Sequence, residues 1–393
     1  MAHMKISDII AQAFLDANVQ VVTYVPGYGG AAIFDALGER TGKTGFVSFH
    51  EEVAYTVAHS ASLMGSRAVL LCKTHGIMKA ANSVSDSLLC GTMAGLVAII
   101  PEDKRGRHSD SIIEAKPFLE GIGMPFIMSH PETVYDDVHL AFERSEQSRL
   151  PWAIVLDSSD VKQRAEYRTR ISGFTGGYVR DVQQHILCPL FNPYQREVYL
   201  ARMAGRDWRA IPRPPIPTIP DATSAIWRKA IETYEPFFKV YQRFRGELVT
   251  GDTGISSQFA VNPYHCMDLV TYMGGSIPLA IGAYLGGKRN VWAISGDFSF
   301  LSAGPMALFE ATLRNIPLKI ILLDNGQALT TGGQPIMPGA LDLALAPWKT
   351  SVMILEEPDN PKKTETALDQ MTRNPDLSIL VVKYRDSYGT KVE

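Results

Sequence analysis

Short apolar runs alternate with amphipathic stretches through the first part of the chain. Ser7–Ala17 carries apolar residues at helical spacing behind a serine suited to an N-cap, and Ala31–Leu37 repeats the spacing. Around them lie the runs Val21–Val25, Phe46–Phe49, Ala68–Cys72, Leu96–Ile100, Pro125–Met128 and Trp152–Leu156. Strands separated by helices predict a parallel sheet covered on both faces. The alternation ends near Leu156, so residues 4–160 are expected to form one α/β domain.

Residues 161–222 break the pattern. Lys162–Arg170 is rich in charge, and Pro212–Pro220 holds five of the 24 prolines, which favours an extended path. This stretch is expected to be a connector, with room for a structured piece around Tyr194–Met203. A second alternation occupies residues 223–393. Ser224–Tyr234, Ile277–Leu285 and Pro305–Arg314 have helical character, and Leu248–Val249, Val291–Ile294, Lys319–Leu323 and Ser378–Val382 have strand character. The expected architecture is α/β, with two parallel-sheet domains joined by a long connector. A length of 393 residues suits two cores better than one.

Composition narrows the function classes. Apolar residues make up 46% and charged residues 20%, as in ordinary globular proteins. A formal net charge of −3 gives no basic stripe for nucleic acid. No apolar run is long enough to span a bilayer. The opening MAHMKISDII lacks the layout of a signal peptide, and Met1–Ala2–His3 reads as a cloning remnant, so a cytoplasmic protein is expected. Cys72, Cys90, Cys188 and Cys266 form no CxxC pair and the nine histidines show no metal spacing. That argues against structural zinc, an iron–sulfur cluster or a disulfide framework.

The chemistry concentrates in Val291–Gln334. One apolar run ends at Gly296–Asp297, a helical pattern follows, and a second run ends at Asp324–Asn325. Both polar pairs then lie at carboxyl ends of parallel strands, where open α/β sheets bind ligands. Asp297 offers a carboxylate, Asn325 an amide oxygen and the backbone at Gln327 a carbonyl, a hard-oxygen set suited to magnesium that also bridges phosphates. Gly296 allows the backbone to approach a diphosphate closely. In the first domain, His50–Ser62 reads HEEVAYTVAHSAS. Glu51 falls at a strand-to-helix junction, where the helix dipole alone would favour an acid. Ala54, Ala58 and Ala61 recur at helical spacing and permit close packing.

Together the two turns resemble the diphosphate-binding motif of thiamine-diphosphate enzymes. The Asp-Asn pair is similar to that of the thiamine subunit of indolepyruvate ferredoxin oxidoreductases, and Gly332–Pro335 resembles phosphonopyruvate and sulfopyruvate decarboxylases. The resemblance implies a thiamine diphosphate cofactor, with magnesium held by Asp297, Asn325 and the Gln327 carbonyl. Gly296, Phe298 and Ser299 belong to the same turn, and Phe298 stands where many members have glycine. Glu51 aligns with the family's general acid, with Glu52 as the adjacent alternative. A buried carboxyl there promotes proton exchange on the aminopyrimidine, giving an ylid that attacks a carbonyl. Thr271–Gly287 resembles the segment whose large apolar residue wedges under the cofactor. Met273 holds that place, beside Gly274 and Gly275.

Further loops are expected to face the cofactor or substrate: Pro26–Gly27, Thr74–His75–Gly76 with Asn82, and Lys104–Asp110. His75 and His108 are candidate acid–base groups, because imidazole titrates near neutrality. His50 is expected to reach the site as well, and His265 lies in Asn262–Cys266, a segment expected to shape the substrate pocket. Lys104, Arg105 and Arg107 suit an acidic group and a solvated loop equally.

The implied activity is magnesium-dependent, non-oxidative decarboxylation of a small 2-oxo acid, with carboligation as a related outcome. One alternative is the thiamine subunit of a 2-oxo acid oxidoreductase, which would need an electron-carrying partner. Another is a non-catalytic cofactor-binding protein, against which Glu51 argues. Glu51 and Asp297 fall in different domains, and the family meets this across a dimer interface. A homodimer or homotetramer with sites between chains is therefore expected.

Overall fold

The computed structural model describes residues 3–219 and 225–384. The start of the expected helix Ser224–Tyr234 and the expected boundary at 222/223 lie outside the described residues. The chain divides into two compact units. One takes in the described residues up to Val179, then Val198–Ala210 and Leu285–Gly287. The other takes in Arg180–Glu197, Ile211–Tyr284 and the described residues from Lys288 on.

The first unit runs β1 (Met4–Lys5), α1 (Ile6–Asp16), β2 (Val21–Tyr24), α2 (Gly30–Thr41), α3 (Glu51–Leu63), β3 (Ala68–Leu71), α4 (Thr74–Lys79) and α5 (Ala81–Cys90). It continues through β4 (Leu96–Glu102), α6 (Ala115–Ile122), β5 (Phe126–Met128), α7 (Val134–Ser148), β6 (Trp152–Asp157) and β7 (Arg164–Ala165). A five-stranded parallel sheet has the order β2-β3-β4-β6-β5. Every residue of β3 and β4 is buried. The reason is visible in the packing: Leu70, Ala98 and Ile100 join one apolar cluster, while Val69, Leu71, Val97 and Ile99 join another. Successive side chains point to opposite faces, and helices cover both.

Phe46–Phe49 does not form the expected strand. It makes one bridge, Val47 to Tyr24, with the Ser48 amide on the Tyr24 carbonyl at 2.8 Å. The run starts directly after Gly45 and α3 begins at Glu51, which leaves no length for a ladder.

The second unit holds α8 (Val182–His185), its core helix α10 (Ala225–Tyr241), and the segment from β8 (Leu248–Asp252) onward. There follow β9 (Leu269–Thr271), α11 (Ser276–Leu285), β10 (Val291–Gly296), α12 (Asp297–Leu313), β11 (Lys319–Asp324), β12 (Gln327–Ala328) and β13 (Gln334–Pro335). Then come α13 (Ala340–Leu345), β14 (Val352–Leu355), α14 (Pro361–Arg373) and β15 (Ser378–Lys383). The parallel sheet has the order β14-β15-β11-β10-β8-β9. On one face Trp292, Ile294, Ile321 and Leu380 pack with Phe237, Phe238 and Tyr241 of α10.

The stretch expected as a connector carries structure of its own. It includes α8 and α9 (Asn192–Met203), and the division between units falls inside α9. Val182, Ile186, Phe191 and Val198 are buried along it. They are spread over two helices and the turn between them, so charge and proline mask them in the sequence.

Candidate active site

In the second unit the ends of β8, β10 and β11 open into one cleft of about 320 Å³, lined by residues that include Thr253, Met273, Gly296, Asp297, Asn325 and Gln327. Asp297 is the first residue of α12 and almost wholly buried. Its Oδ1 accepts from the Phe298 amide at 2.7 Å and its Oδ2 from the Gly326 amide at 2.6 Å. Burial raises its pKa well above the ordinary carboxylate range; the two amides oppose the shift and neighbouring Asp324 adds to it. Asp324 is itself answered by Lys383, with Oδ2 to Nζ at 2.7 Å.

Asn325 is fixed from both sides. Its Nδ2 donates to the Tyr234 hydroxyl at 2.7 Å, and its Oδ1 accepts from the Gln327 amide at 3.0 Å. Gln327 starts a small antiparallel ladder opposite Pro335. The Gly326 and Ala328 carbonyls accept from Ile336 and Gly333 at 2.8 and 3.0 Å. Pro335 has no N–H to give, so the ladder makes no such demand on the Gln327 carbonyl. Phe298 is partly exposed and Ser299 nearly buried on the first turn of α12.

These features fit a diphosphate held through a divalent cation. A Cβ built on Gly296 meets only Ser299 Oγ at 3.9 Å, so the backbone there is open to a ligand. Among the described residues no group of three or more His, Cys, Asp and Glu is placed to hold a metal ion by itself. A cation at this cleft would be held by one carboxylate, one amide oxygen and one carbonyl, a hard set. It would also offset the burial of two neighbouring acids that share one lysine.

Met273 follows β9 and is partly exposed. Gly274 has φ 89°, and a Cβ there would stand 2.5 Å from that of Ala303. His265 also has positive φ, and Arg245 donates to its carbonyl at 2.8 Å. It does not line the cleft.

The first unit gathers a second group of polar residues. His50 precedes α3 without a side-chain cap, and Glu51 opens the helix. Glu51 lies over α4: a Cβ on Gly76 would sit 2.8 Å from Glu51 Cγ, so only glycine fits there. Glu51 Oε2 is 3.0 Å from Lys79 Nζ, an ion pair whose angle makes no hydrogen bond. His50 Nδ1 and Thr74 Oγ1 are likewise buried without hydrogen bonds. Burial lowers the His50 pKa, and the Lys79 charge lowers it further. Burial raises Glu52, against a hydrogen bond with Asn82.

His75 pairs through Nε2 with Ser111 Oγ at 2.8 Å, on the loop after β4. That loop also places His108 on the Tyr28 ring at 3.7 Å and Ser109 on Lys73 at 2.7 Å. Gly27, next to Pro26, packs against Lys73, where an added Cβ would be 2.4 Å from Cγ. Lys104, Arg105 and Arg107 are exposed. Thus Glu51, Gly76, Thr74 and Asn82 lie on the three mutually packed helices α3, α4 and α5, whereas His75 and His108 are held by the adjoining loop.

Several residues were missed in the sequence. Asp252 ends β8 in the string TGDTG, much as Asp297 follows β10 in SGDFS, so a repeated Gly-Asp ending was available as a signal. Burial pushes the Asp252 carboxyl up to about 6, against hydrogen bonds from Ser295 and Ser276. Tyr234 and Lys79 had no comparable signal.

Residues 250–356 match the thiamine pyrophosphate enzyme C-terminal TPP-binding domain. This stretch carries the cofactor-binding domain of a thiamine pyrophosphate-dependent enzyme. Indolepyruvate oxidoreductase subunit IorA of Archaeoglobus fulgidus is 28% identical over 153 residues, covering 37% of this chain and 25% of that protein. The same subunit of Thermococcus kodakarensis is 28% identical over 142 residues, covering 35% and 22%. The chain thus spans about a quarter of the length of the curated relatives it matches. In fold it is similar to the thiamine diphosphate-dependent 4-hydroxybenzoylformate decarboxylase of Rhodococcus jostii RHA1, with a TM-score of 0.68, 13% identity, and coverage of 97% and 99%. That likeness shows the two-domain α/β fold. No helix among the described residues is long and apolar enough to cross a membrane.

Proposed function

We propose that this thiamine-diphosphate enzyme is a magnesium-dependent, non-oxidative decarboxylase of a 2-oxo acid. The observation that supports the reading is the cleft at the β10 and β11 ends, which Asp297, Asn325 and Gln327 line together with Gly296. When bound, thiamine diphosphate supplies a carbon nucleophile and an electron sink for the substrate carbonyl. Asp297, Asn325 and the Gln327 carbonyl would hold the magnesium, and Met273 would support the cofactor from below. Glu51 would share a proton with the aminopyrimidine, in a pocket that Gly76 leaves clear. His75 would exchange a proton with the substrate. Pro26, Gly27, Thr74 and Asn82 would complete that side.

The second reading is the thiamine subunit of a 2-oxo acid oxidoreductase, favoured by the identity of the sequence relatives. Electrons would then have to leave through a partner, because the four cysteines are separately buried free thiols. A product assay on a panel of 2-oxo acids, with and without an electron acceptor, separates the two. Carbon dioxide and aldehyde without acceptor are expected; product only with acceptor would establish the second reading instead.

We also propose that two copies of the chain pair and share their sites. Phe298, Met306, Phe309 and Leu313 are partly exposed along α12, and Leu343 of α13 is 79% exposed. A run of apolar side chains on one helix marks an interaction surface. Mixing inactive Glu51→Gln and Asp297→Ala proteins should then restore part of the activity, since one site of each mixed pair is intact. No recovery after verified subunit exchange would mean that each chain builds its own site.

A further inference from the structure

Asp252 is fully buried at the end of β8 and is not needed to bind a metal in the reading above. Its Oδ1 accepts from the Ser276 amide, the first of α11, at 2.7 Å. Its Oδ2 accepts from the Ser295 hydroxyl, one residue before Gly296. Around it, the Thr253 amide donates to the Thr271 carbonyl at 2.8 Å, and Thr250 Oγ1 donates to the Ser276 carbonyl at 2.7 Å. One carboxylate therefore joins the Thr271–Ser276 turn, which presents Met273 to the cleft, to the strand end that presents Gly296 and Asp297. A buried carboxylate that accepts from several donors restricts all of them at once.

We infer that Asp252 is a positioning residue of the cofactor site, setting the Met273 turn against the diphosphate turn. This rests on the proposed use of the cleft for thiamine diphosphate and magnesium. Asparagine can replace the carboxylate with little change. Its oxygen still accepts from Ser276, its amide can donate to Ser295, and the Ser295 hydroxyl can turn to the Gly296 carbonyl, already 3.2 Å away. Alanine cannot, and leaves the Ser276 amide buried without that acceptor.

The test measures thiamine diphosphate affinity by calorimetry in saturating magnesium, well below each variant's melting temperature. Asp252→Ala should weaken binding about tenfold or more, the worth of one or two hydrogen bonds, while Asp252→Asn stays within about threefold of the natural chain. In the double variant with Met273→Ala, the loss should fall short of the product of the single losses by about threefold or more, because both act through one turn. A lower melting temperature with unchanged affinity, equal losses for alanine and asparagine, or multiplicative losses would each overturn the inference. Should Asp252→Ala not fold, Ser295→Ala removes the β10 side of the bridge alone and is judged by the same affinity and coupling criteria. If the natural chain itself binds no thiamine diphosphate, the functional reading fails first, an outcome distinct from failure of the Asp252 inference alone.

Discussion

Asp297 and Glu51 are the two acids of the proposed site, and the chain holds them in opposite ways. Asp297 is fixed by backbone: both oxygens take amides of turns that immediately follow strands β10 and β11. Glu51 is fixed by side chains. It rests on Gly76, its Oε2 faces Lys79 without a hydrogen bond, and His50 and Thr74 beside it keep buried polar atoms unbonded. A backbone cradle is formed once the sheet is formed, which suits a constant ligand such as a diphosphate–metal unit. A side-chain cluster with incomplete hydrogen bonding can rearrange, which suits a carboxyl whose task is to trade a proton.

The largest expected effect tests the Glu51 side. Glu51→Gln should keep the fold and cofactor affinity while turnover falls by ~10²–10⁴-fold, the usual cost of losing a general acid–base group. Glu52→Gln should cost far less, because Glu52 is engaged with Asn82. Steady-state kinetics on both variants decides the assignment; if only Glu52→Gln is inactive, the two roles are exchanged. Next in size is Asp297→Ala, expected to weaken magnesium-dependent thiamine diphosphate binding by roughly 100-fold or more, since buried charge-assisted contacts are the strong ones. Titration calorimetry with and without magnesium reads this directly. Unchanged affinity would place the metal elsewhere.

These two sides were not equally legible in the sequence. Gly296–Asp297 and Asp324–Asn325 were conspicuous because a polar pair directly after an apolar run is a local signal, and β10 and β11 do end there. What fixes them is not local. Asn325 is oriented by Tyr234, 91 positions earlier, and Ser295 by Asp252, 43 positions earlier. Lys79 is a half-exposed lysine that acquires meaning only when α4 is laid across the start of α3. The parallel α/β character was legible because β3, β4, β10 and β11 are continuous apolar runs. Within 161–222 only the structured piece around Tyr194–Met203 was legible; other buried residues there, such as Val182 and Ile186, are spread among charges and prolines.

A smaller effect probes how rigid the diphosphate side is. Gly274→Ala places a side chain at φ 89° and within 2.5 Å of Ala303 Cβ, on a turn attached to Asp252. It should cost roughly 1–3 kcal/mol of stability through backbone strain. Chemical denaturation gives the value, and a loss below a few tenths would show that the turn relaxes easily.

The smallest effect separates the two units by their response to acid. His59, in α3, is wholly buried with its Nε2 on the Gly91 carbonyl at 2.9 Å. Burial pushes its pKa down to about 4, from an ordinary value of 6.5. Between those values the unfolded chain binds the extra proton, so stability contributed here is present above about pH 6.5 and lost as pH falls toward 4. Asp252 behaves in the opposite sense. Its carboxyl is raised from 3.8 to about 6, so the folded chain binds the extra proton between those values, and stability rises as pH falls through 6. Each group contributes a slope of at most about 1.4 kcal/mol per pH unit. Hydrogen exchange at pH 7 and pH 5, corrected for intrinsic rates, should therefore show α3 losing protection relative to β8 and the start of α11. His59→Asn should flatten the acid dependence of α3, and Asp252→Asn that of β8, each without altering the other. Parallel loss of protection in both segments, unchanged by either substitution, would mean that groups other than these two govern the acid response.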